Sequence, residues 1–194
     1  MKILAFLTIA ALTISCSGNG DNTTSVKTDT LSLKVPYKEM LVGNIGVCSS
    51  SDNLELIKPD SSIVNIDIWN ERFFGERNLG DPVEVTFIIV DGHPISSTIV
   101  NLRTLQKTWK HVNDSTDVRT FLAMQENHHA HIFNNVGRDE YCDWHLDDGL
   151  IILSVKADSL NTLRTDTLSI LSLNSDTLRL VDREKKLTFV KAKT

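Results

Sequence analysis

The feature that most constrains this fold is an alternation of apolar and polar side chains with a period of two residues. It recurs in short runs at residues 63–68, 83–87, 178–180 and 187–189. Successive side chains of a β-strand point to opposite faces, so each run predicts a strand with one buried face. No long 3.6-residue period is present, and only residues 70–78 and 156–163 leave room for a helical turn. The pattern therefore predicts an all-β protein.

Five candidate strands lie in the first half of the globular region and eight in the second. They are predicted at residues 41–48, 53–58, 62–69, 82–90 and 95–102, and then at 108–112, 119–124, 128–133, 140–146, 150–155, 165–173, 176–181 and 186–191. The pairs Asp91-Gly92 and Asp148-Gly149 mark tight hairpin turns, because glycine reaches a positive φ without strain and aspartate tolerates it. Five and eight are strand numbers of common closed barrels, and closure removes exposed sheet edges. We expect two small antiparallel barrels, at residues 37–103 and 104–194.

The N-terminal segment differs in composition from the rest of the chain. Residues 1–15 contain one lysine and an apolar run that is well short of the roughly 20 residues needed to cross a bilayer, which is typical of a signal peptide. Cys16 follows at the expected cleavage point. Residues 16–36 are polar and lack an apolar period, so we expect them to form a disordered tether.

Cys16, preceded by Ser15 and an apolar run, resembles the lipobox of bacterial lipoproteins. The resemblance implies that the signal peptide is removed and that the Cys16 thiol is acylated, for example with palmitate. Thr13 stands where the family usually has leucine. An aspartate after the cysteine typically retains such proteins at the inner membrane, so Ser17 implies an outer-membrane location facing the periplasm or the surface. The alternative is a secreted protein with a cysteine near its cleavage site.

The second half resembles the small lipocalin-like domains of bacterial lipoproteins. The resemblance rests on the runs at residues 105–109, 141–144, 148–153, 166–173 and 176–180. The family usually has glycine where this chain has Lys107. In such domains a tryptophan closes one barrel end beneath a cation from the last strand, which implies this structural role for Trp109 and Lys191.

The first half resembles, more distantly, an OB-type barrel. The similar segments are residues 43–47, 58–61 and 79–85. OB barrels often bind nucleic acid through basic grooves and stacking aromatic residues. Here the strands carry Glu55, Asp67 and Glu84, and the formal net charge of the chain is −5. We therefore expect no nucleic-acid partner.

The most unusual polar cluster is His128-His129-Ala130-His131. Imidazole is a common ligand of zinc and copper, and His129 and His131 share one face of a strand. Cys142 and His145, on a neighbouring strand, would complete a tetrahedral set if they reached the same place. The alternative is a polar hairpin with histidines facing water or the lumen, because the spacing matches no standard metal motif. No cofactor is predicted.

Two cysteines remain beside Cys16. Cys48 and Cys142 would either pair, if the compartment is oxidising, or stay as separate thiols in different regions. Cys142 and His145 point to opposite faces of one strand, so they do not suggest a nucleophile and its base. Turn chemistry accounts for Asp148, and no glycine-rich phosphate loop is present. The chain is therefore predicted not to be an enzyme.

The interior of the second barrel separates two functional hypotheses. Phe121, Met124, Phe133 and Trp144 are its predicted lining residues, around either a pocket or a filled core. An apolar cavity would indicate a carrier, and a packed core with an exposed apolar rim would indicate contacts with a partner.

The leading expectation is a non-catalytic envelope lipoprotein, anchored to the membrane through Cys16, that binds a small apolar ligand or lipid. The alternative is an envelope-stress or metal-homeostasis sensor, or an accessory subunit, that acts through protein–protein contacts.

Overall fold

The computed structural model describes residues 38–68, 72–112, 119–156 and 163–193, all within one compact unit, Val35–Thr194. The predicted signal peptide, Cys16 and the predicted tether lie outside the described residues. The described chain is all-β, as predicted, with one short helix of four residues.

The first barrel is built from five strands. The elements of this half are β1 (Lys38–Ile45), β2 (Asn53–Ile57), β3 (Ile63–Ile68), β4 (Phe73–Phe74), β5 (Pro82–Val90), β6 (His93–Asn101) and α1 (Leu102–Leu105). The barrel closes in the order β1-β2-β3-β6-β5, with a parallel β3–β6 pair and antiparallel pairs elsewhere. This closed five-stranded sheet confirms the OB-like barrel. Short β4 adds to β6 in parallel.

The second barrel is built from eight strands. They are β7 (Thr108–His111), β8 (Thr120–Met124), β9 (His129–Asn134), β10 (Asp139–Asp147), β11 (Leu150–Lys156), β12 (Leu163–Leu173), β13 (Thr177–Asp182) and β14 (Lys185–Lys191). Each strand pairs antiparallel with the next, and β14 pairs with β7 to close the sheet. Neighbours in sequence are thus neighbours in the sheet, which confirms the eight-stranded lipocalin-like barrel.

Two-residue alternation decides which side chains fill the second barrel. On β10, the buried residues Cys142, Trp144 and Leu146 alternate with exposed Tyr141 and Asp143. Trp109 and Trp144 are the largest fully buried side chains of the described chain. Their indole N–H groups donate to the carbonyls of Leu105, at 2.9 Å, and Gln125, at 3.1 Å. The interior therefore buries two aromatic rings without leaving their polar atoms unpaired.

The two barrels share part of their core. Phe74, Val100 and Leu102, from the first half, belong to the same buried cluster as the interior of the second barrel. The connecting helix α1 is fixed by Asn101, whose side chain accepts a 2.8 Å hydrogen bond from the backbone N–H of Thr104. A side chain at this position satisfies a helix N–H that has no partner within the helix. The connection is thus a packed element of the fold.

Strand β4 lies where the sequence predicted room for a helical turn, at residues 70–78. Phe73 and Phe74 instead pair with Ile99 and Val100 of β6, and Phe74 is buried. Two adjacent phenylalanines match neither period by themselves. Phe74 joins the core of the second barrel and Phe73 packs on the core of the first, so tertiary contacts decide their conformation. Residues 157–162, most of the other predicted helical turn, lie outside the described part of the chain.

Candidate functional site

The four predicted lining residues of the second barrel do not share one face. Met124 and Trp144 lie in the interior and are 3% and 1% exposed. Phe121 and Phe133 are half-buried on the outer face, because Leu122 and Ile132 take the adjacent inward positions. Both phenylalanines were predicted to lie inside the barrel, and that prediction is wrong, because strand alternation turns them outward.

The interior of this barrel is a packed core. Trp109, Trp144, Ile151, Leu178 and Leu180 are each at most 1% exposed. Protein cores of this kind are close-packed and leave few voids larger than a water molecule. Met124 and Trp144 are therefore core residues, packed against other side chains.

A different lysine from the one expected lies over Trp109. The Lys107 ammonium is 6.0 Å from the centre of the indole ring. Lys191 is the cross-strand partner of Trp109 in the β14–β7 pair. Burial, and then the charge of Lys191, lower the pKa of Lys107. Lys107, and not Lys191, thus supplies the cation over this indole ring.

The four predicted metal ligands lie on opposite faces of the sheet. Cys142 points inward and is 5% exposed, whereas His129, His131 and His145 lie on the outer face. Within the described ranges, no group of three His, Cys, Asp or Glu side chains has the arrangement of a metal site. The set predicted from the sequence is therefore not assembled.

Both described cysteines are free thiols, Cys48 exposed and Cys142 buried. The open alternative in the sequence is thus decided in favour of separate thiols. Burial, and then the charges of Glu140 and Asp143, raise the pKa of Cys142. A raised thiol pKa disfavours the nucleophilic thiolate, and His145 lies on the other face of β10.

The outer face of β8, β9 and β10 carries four aromatic rings in contact, which we call the aromatic ladder: Phe121, Phe133, His131 and Tyr141. The centroids are 5.0 Å apart for Phe121–Phe133, 4.6 Å for Phe133–His131 and 4.2 Å for His131–Tyr141. The His131 and Tyr141 rings are parallel to within 4°. Cross-strand pairing places them opposite each other, so the register of β9 on β10 builds the stack.

Two histidine–aspartate pairs flank the ladder. His129 Nδ1 lies 2.8 Å from Asp143 Oδ1, and these residues are direct cross-strand partners. His131 Nε2 contacts Asp139 Oδ1. His131 therefore contacts a carboxylate and stacks on the Tyr141 ring. These contacts orient the His131 and Tyr141 rings, which form the exposed end of the ladder.

A groove of about 580 Å³ runs over β9, β10 and β11 beside the ladder. Its described lining includes the carboxylates Asp139, Glu140 and Asp143 and contains no lysine or arginine. Glu140 is neutralised by Arg138 at 2.8 Å and Arg164 at 3.0 Å, and these hydrogen bonds lower its pKa. Asp139 and Asp143 keep side chains that are 67% and 56% exposed.

A second polar cluster lies where the barrels meet, around the Asp148-Gly149 turn. Positive φ angles of 49° and 79° confirm the predicted turn. The Asp148 carboxylate accepts hydrogen bonds from Lys38, from Ser97 at 2.9 Å and from Thr98 at 2.7 Å. Burial alone would raise the pKa of Asp148, but these donors together lower it. The turn residue thus joins the β10–β11 hairpin to the first barrel.

Glu84 lies on the side of the first barrel that is near Asp147, and it is 6% exposed. Burial, and then the charge of Asp147, raise the pKa of Glu84 to about 7. Its neighbours Val83 and Val85 point into the first core, so alternation turns Glu84 outward, toward the second barrel. The sequence gives no sign of this, because a glutamate in an alternating strand is typical of a solvent-facing position.

Comparisons with protein-family models, with curated proteins and with solved structures give no match. In the part of the chain that the structure describes, no helix is long and apolar enough to cross a bilayer.

Proposed function

We propose that this chain is a non-catalytic binding module of the bacterial envelope that acts through contacts with a partner protein. A lipid on Cys16 would hold it at the membrane, with the outer membrane as the expected location. The packed interior of the second barrel is the observation that carries the proposal. Between the two expectations from the sequence, it favours protein contacts over carriage of a small apolar ligand.

The interior argues against a carrier because ligand pockets usually enclose about 300–1,000 Å³ of mostly apolar space. Here Trp109 and Trp144 belong to the buried core of the barrel and are 0% and 1% exposed. A small apolar ligand would have to displace these rings. Replacing such contacts costs several kcal/mol, as large-to-small core substitutions do.

The barrel end formed by the first residues of β10 and β12 is charged. Glu140 and Arg164 form a 3.0 Å ion pair. They lie on the same face of the sheet as their cross-strand partners Ile132 and Val155, which are buried. Arg164 also binds Asp166 at 3.1 Å. An apolar ligand entering here would have to desolvate these charges, which is unfavourable.

The outer face supports a protein-binding role. Tyr141 is 69% exposed, although its ring is stacked on that of His131. Tyrosine is enriched at protein interfaces, because its apolar ring and polar hydroxyl suit a surface that is partly apolar and partly wet. The exposed Tyr141 ring at the groove therefore supports a role as a contact surface.

Two measurements on the lipidated protein test the proposal. Organic extraction followed by mass spectrometry is expected to recover the covalent anchor but no apolar ligand near one equivalent. Photo-crosslinking in intact cells, from residues placed on the outer faces of both barrels, is expected to give discrete protein adducts. A stoichiometric apolar ligand, together with no protein adduct from any position, would reject the proposal in favour of a carrier.

A further inference from the structure

We infer that the groove over β9, β10 and β11 binds an extended, positively charged segment of a partner protein, with arginine or lysine at alternate positions. This inference rests on the proposed function and names the chemistry of the partner. Charge, an ordered aromatic ring and strand spacing each support it.

Charge is the first argument. The described lining carries Asp139, Glu140 and Asp143 without a lysine or arginine. Glu140 is paired with two arginines, whereas Asp139 and Asp143 pair only with histidines among the described residues and stay more than half exposed. Exposed, like-charged carboxylates in a concave surface raise the local concentration of cations and steer a positively charged partner. The same charge repels nucleic acids and anionic headgroups.

The exposed end of the aromatic ladder is the second argument. Tyr141 is stacked on His131 at 4.2 Å, and His131 is itself held by Asp139. Binding therefore does not have to order the tyrosine ring, which reduces the entropic cost. A guanidinium or ammonium group over such a ring gains a cation–π interaction, and arginine also stacks on aromatic faces.

The spacing along β10 is the third argument. Asp139, Tyr141 and Asp143 are successive outward residues of one strand. Their side chains are about 6–7 Å apart, because a strand rises about 3.3 Å per residue. An extended peptide places its alternate side chains at the same interval. Cationic side chains at every second position would therefore meet a carboxylate, the tyrosine ring and a second carboxylate in turn.

Binding of a labelled acetyl-(Arg-Ser)₄-amide peptide, followed by fluorescence anisotropy, tests this inference. We expect saturable binding to the full protein that weakens steeply with added salt. The matched acetyl-(Gln-Ser)₄-amide probe is expected to bind at least about tenfold more weakly, since it lacks the charges.

Variants locate the binding. Tyr141→Leu keeps an apolar side chain but removes the π face, and Asp143→Asn removes one charge. Each is expected to weaken binding of the arginine probe about 2- to 30-fold, as the loss of about 0.5–2 kcal/mol implies. Asp91→Asn removes an exposed charge at the β5–β6 turn of the first barrel, outside the groove lining, and is the matched control. We expect no change for it.

Three results would overturn the inference. The first is equal binding of the glutamine and arginine probes. The second is binding by Tyr141→Leu and Asp143→Asn that equals that of the parent. The third is a loss of binding in Asp91→Asn as large as that in Asp143→Asn. Sedimentation of the parent and of Tyr141→Leu tests whether a second copy of this chain occupies the groove instead. Self-association that disappears in the variant would assign the groove to a second copy and reject the basic segment.

The two proposals fail separately. If protein adducts persist in cells when Tyr141→Leu and Asp143→Asn are combined, a partner binds elsewhere and only the assignment to the groove is wrong. If a stoichiometric apolar ligand is extracted and no adduct forms, the proposed function is wrong whatever the peptide probes show.

Discussion

At the scale of single residues, the interface between the two barrels contains two carboxylates in different environments. Asp148 is surrounded by donors from β1 and β6, so its charge is stabilised. Glu84 is buried near Asp147, so its charge is destabilised. The same interface therefore contains one carboxylate that favours folding when ionised and one that opposes it.

Glu84→Gln is expected to change how stability depends on pH. The pKa of Glu84 rises from the ordinary value of 4.5 to about 7 on folding, so the folded state binds this proton more tightly. The contribution is fully present below about pH 4.5 and is lost as pH rises through 7. Melting temperatures at pH 5.5 and 8 should therefore fall less with pH in Glu84→Gln than in the parent.

Glu39→Gln, at an exposed carboxylate of β1, is the control for that comparison. We expect its melting temperatures to follow those of the parent at both pH values. If the curves of Glu84→Gln and the parent were parallel, burial would not have raised the pKa of Glu84.

Asp148→Asn should destabilise the protein by about 1–3 kcal/mol, because the hydrogen bonds and the ion pair at this position involve a charged acceptor. Asparagine tolerates the positive φ of 49°, so the turn itself is preserved. Asp91→Asn, at the exposed Asp-Gly turn of the first barrel, should change stability by less than about 0.5 kcal/mol. Guanidinium unfolding of both variants makes the comparison. Equal losses would mean that the contacts of Asp148 with the first barrel contribute nothing.

At the scale of elements, β10 shows how one strand serves two purposes. Its inward residues, Cys142, Trp144 and Leu146, fill the second barrel, and its outward residues, Tyr141 and Asp143, form the groove. The alternation that predicted the strand also separates its core from its surface. Which neighbours these residues meet depends on the register with β9 and β11, which the pattern does not contain.

Trp144→Phe tests the inward side of β10. The substitution removes the donor to the Gln125 carbonyl and leaves part of the indole volume empty. We expect a loss of about 2–4 kcal/mol from the cavity and the unpaired carbonyl together. Tyr141→Phe, on the outward side, keeps the stacked ring and should change stability by less than about 0.5 kcal/mol. Urea unfolding would measure both, and similar losses would contradict the assignment of faces.

At the scale of the whole molecule, the barrels are joined by a shared core and by hydrogen bonds. Phe74 of β4 lies in the core cluster of the second barrel, and the backbone N–H of Gly75 donates to the carbonyl of Leu173 at 3.0 Å. Ser175 donates its backbone N–H to Glu76 at 3.1 Å. Part of the buried core of the second barrel therefore comes from the first half of the chain.

Unfolding is therefore expected to be a single cooperative transition for both barrels. Calorimetry should give one peak whose calorimetric and van't Hoff enthalpies agree. Phe74→Ala should lower the stability by about 3–5 kcal/mol and shift that peak without splitting it. Phe73→Ala, whose side chain packs on the core of the first barrel, should shift the same peak. Two peaks, each sensitive to only one of these variants, would show independent barrels.

The proposed attachment to the membrane would also be a property of the whole molecule. Cys16→Ala removes the proposed acylation site, so the variant is expected to leave the membrane fraction. Fractionation of cells that express the parent and the variant measures this. Membrane association that persists in Cys16→Ala would reject the lipid anchor.

The sequence by itself determined the class of the fold and most of its strands. Two-residue alternation predicted residues 82–90 as a strand with the bounds that β5 has, and the Asp148-Gly149 pair predicted its turn. These are local properties, because side-chain direction and permitted φ angles depend on neighbouring residues only. Alternation does not say which face of a strand is inside, so Phe121 and Phe133 were predicted on the wrong one.

Only the tertiary structure decided the features on which function depends. The aromatic ladder joins residues from three strands, and its geometry follows from their register. The conformation of Phe74 and the burial of Glu84 follow from docking of one barrel on the other. Such features depend on which distant residues come together when the sheet closes. No local pattern in the sequence specifies that, because closing the sheet brings together segments far apart in the chain.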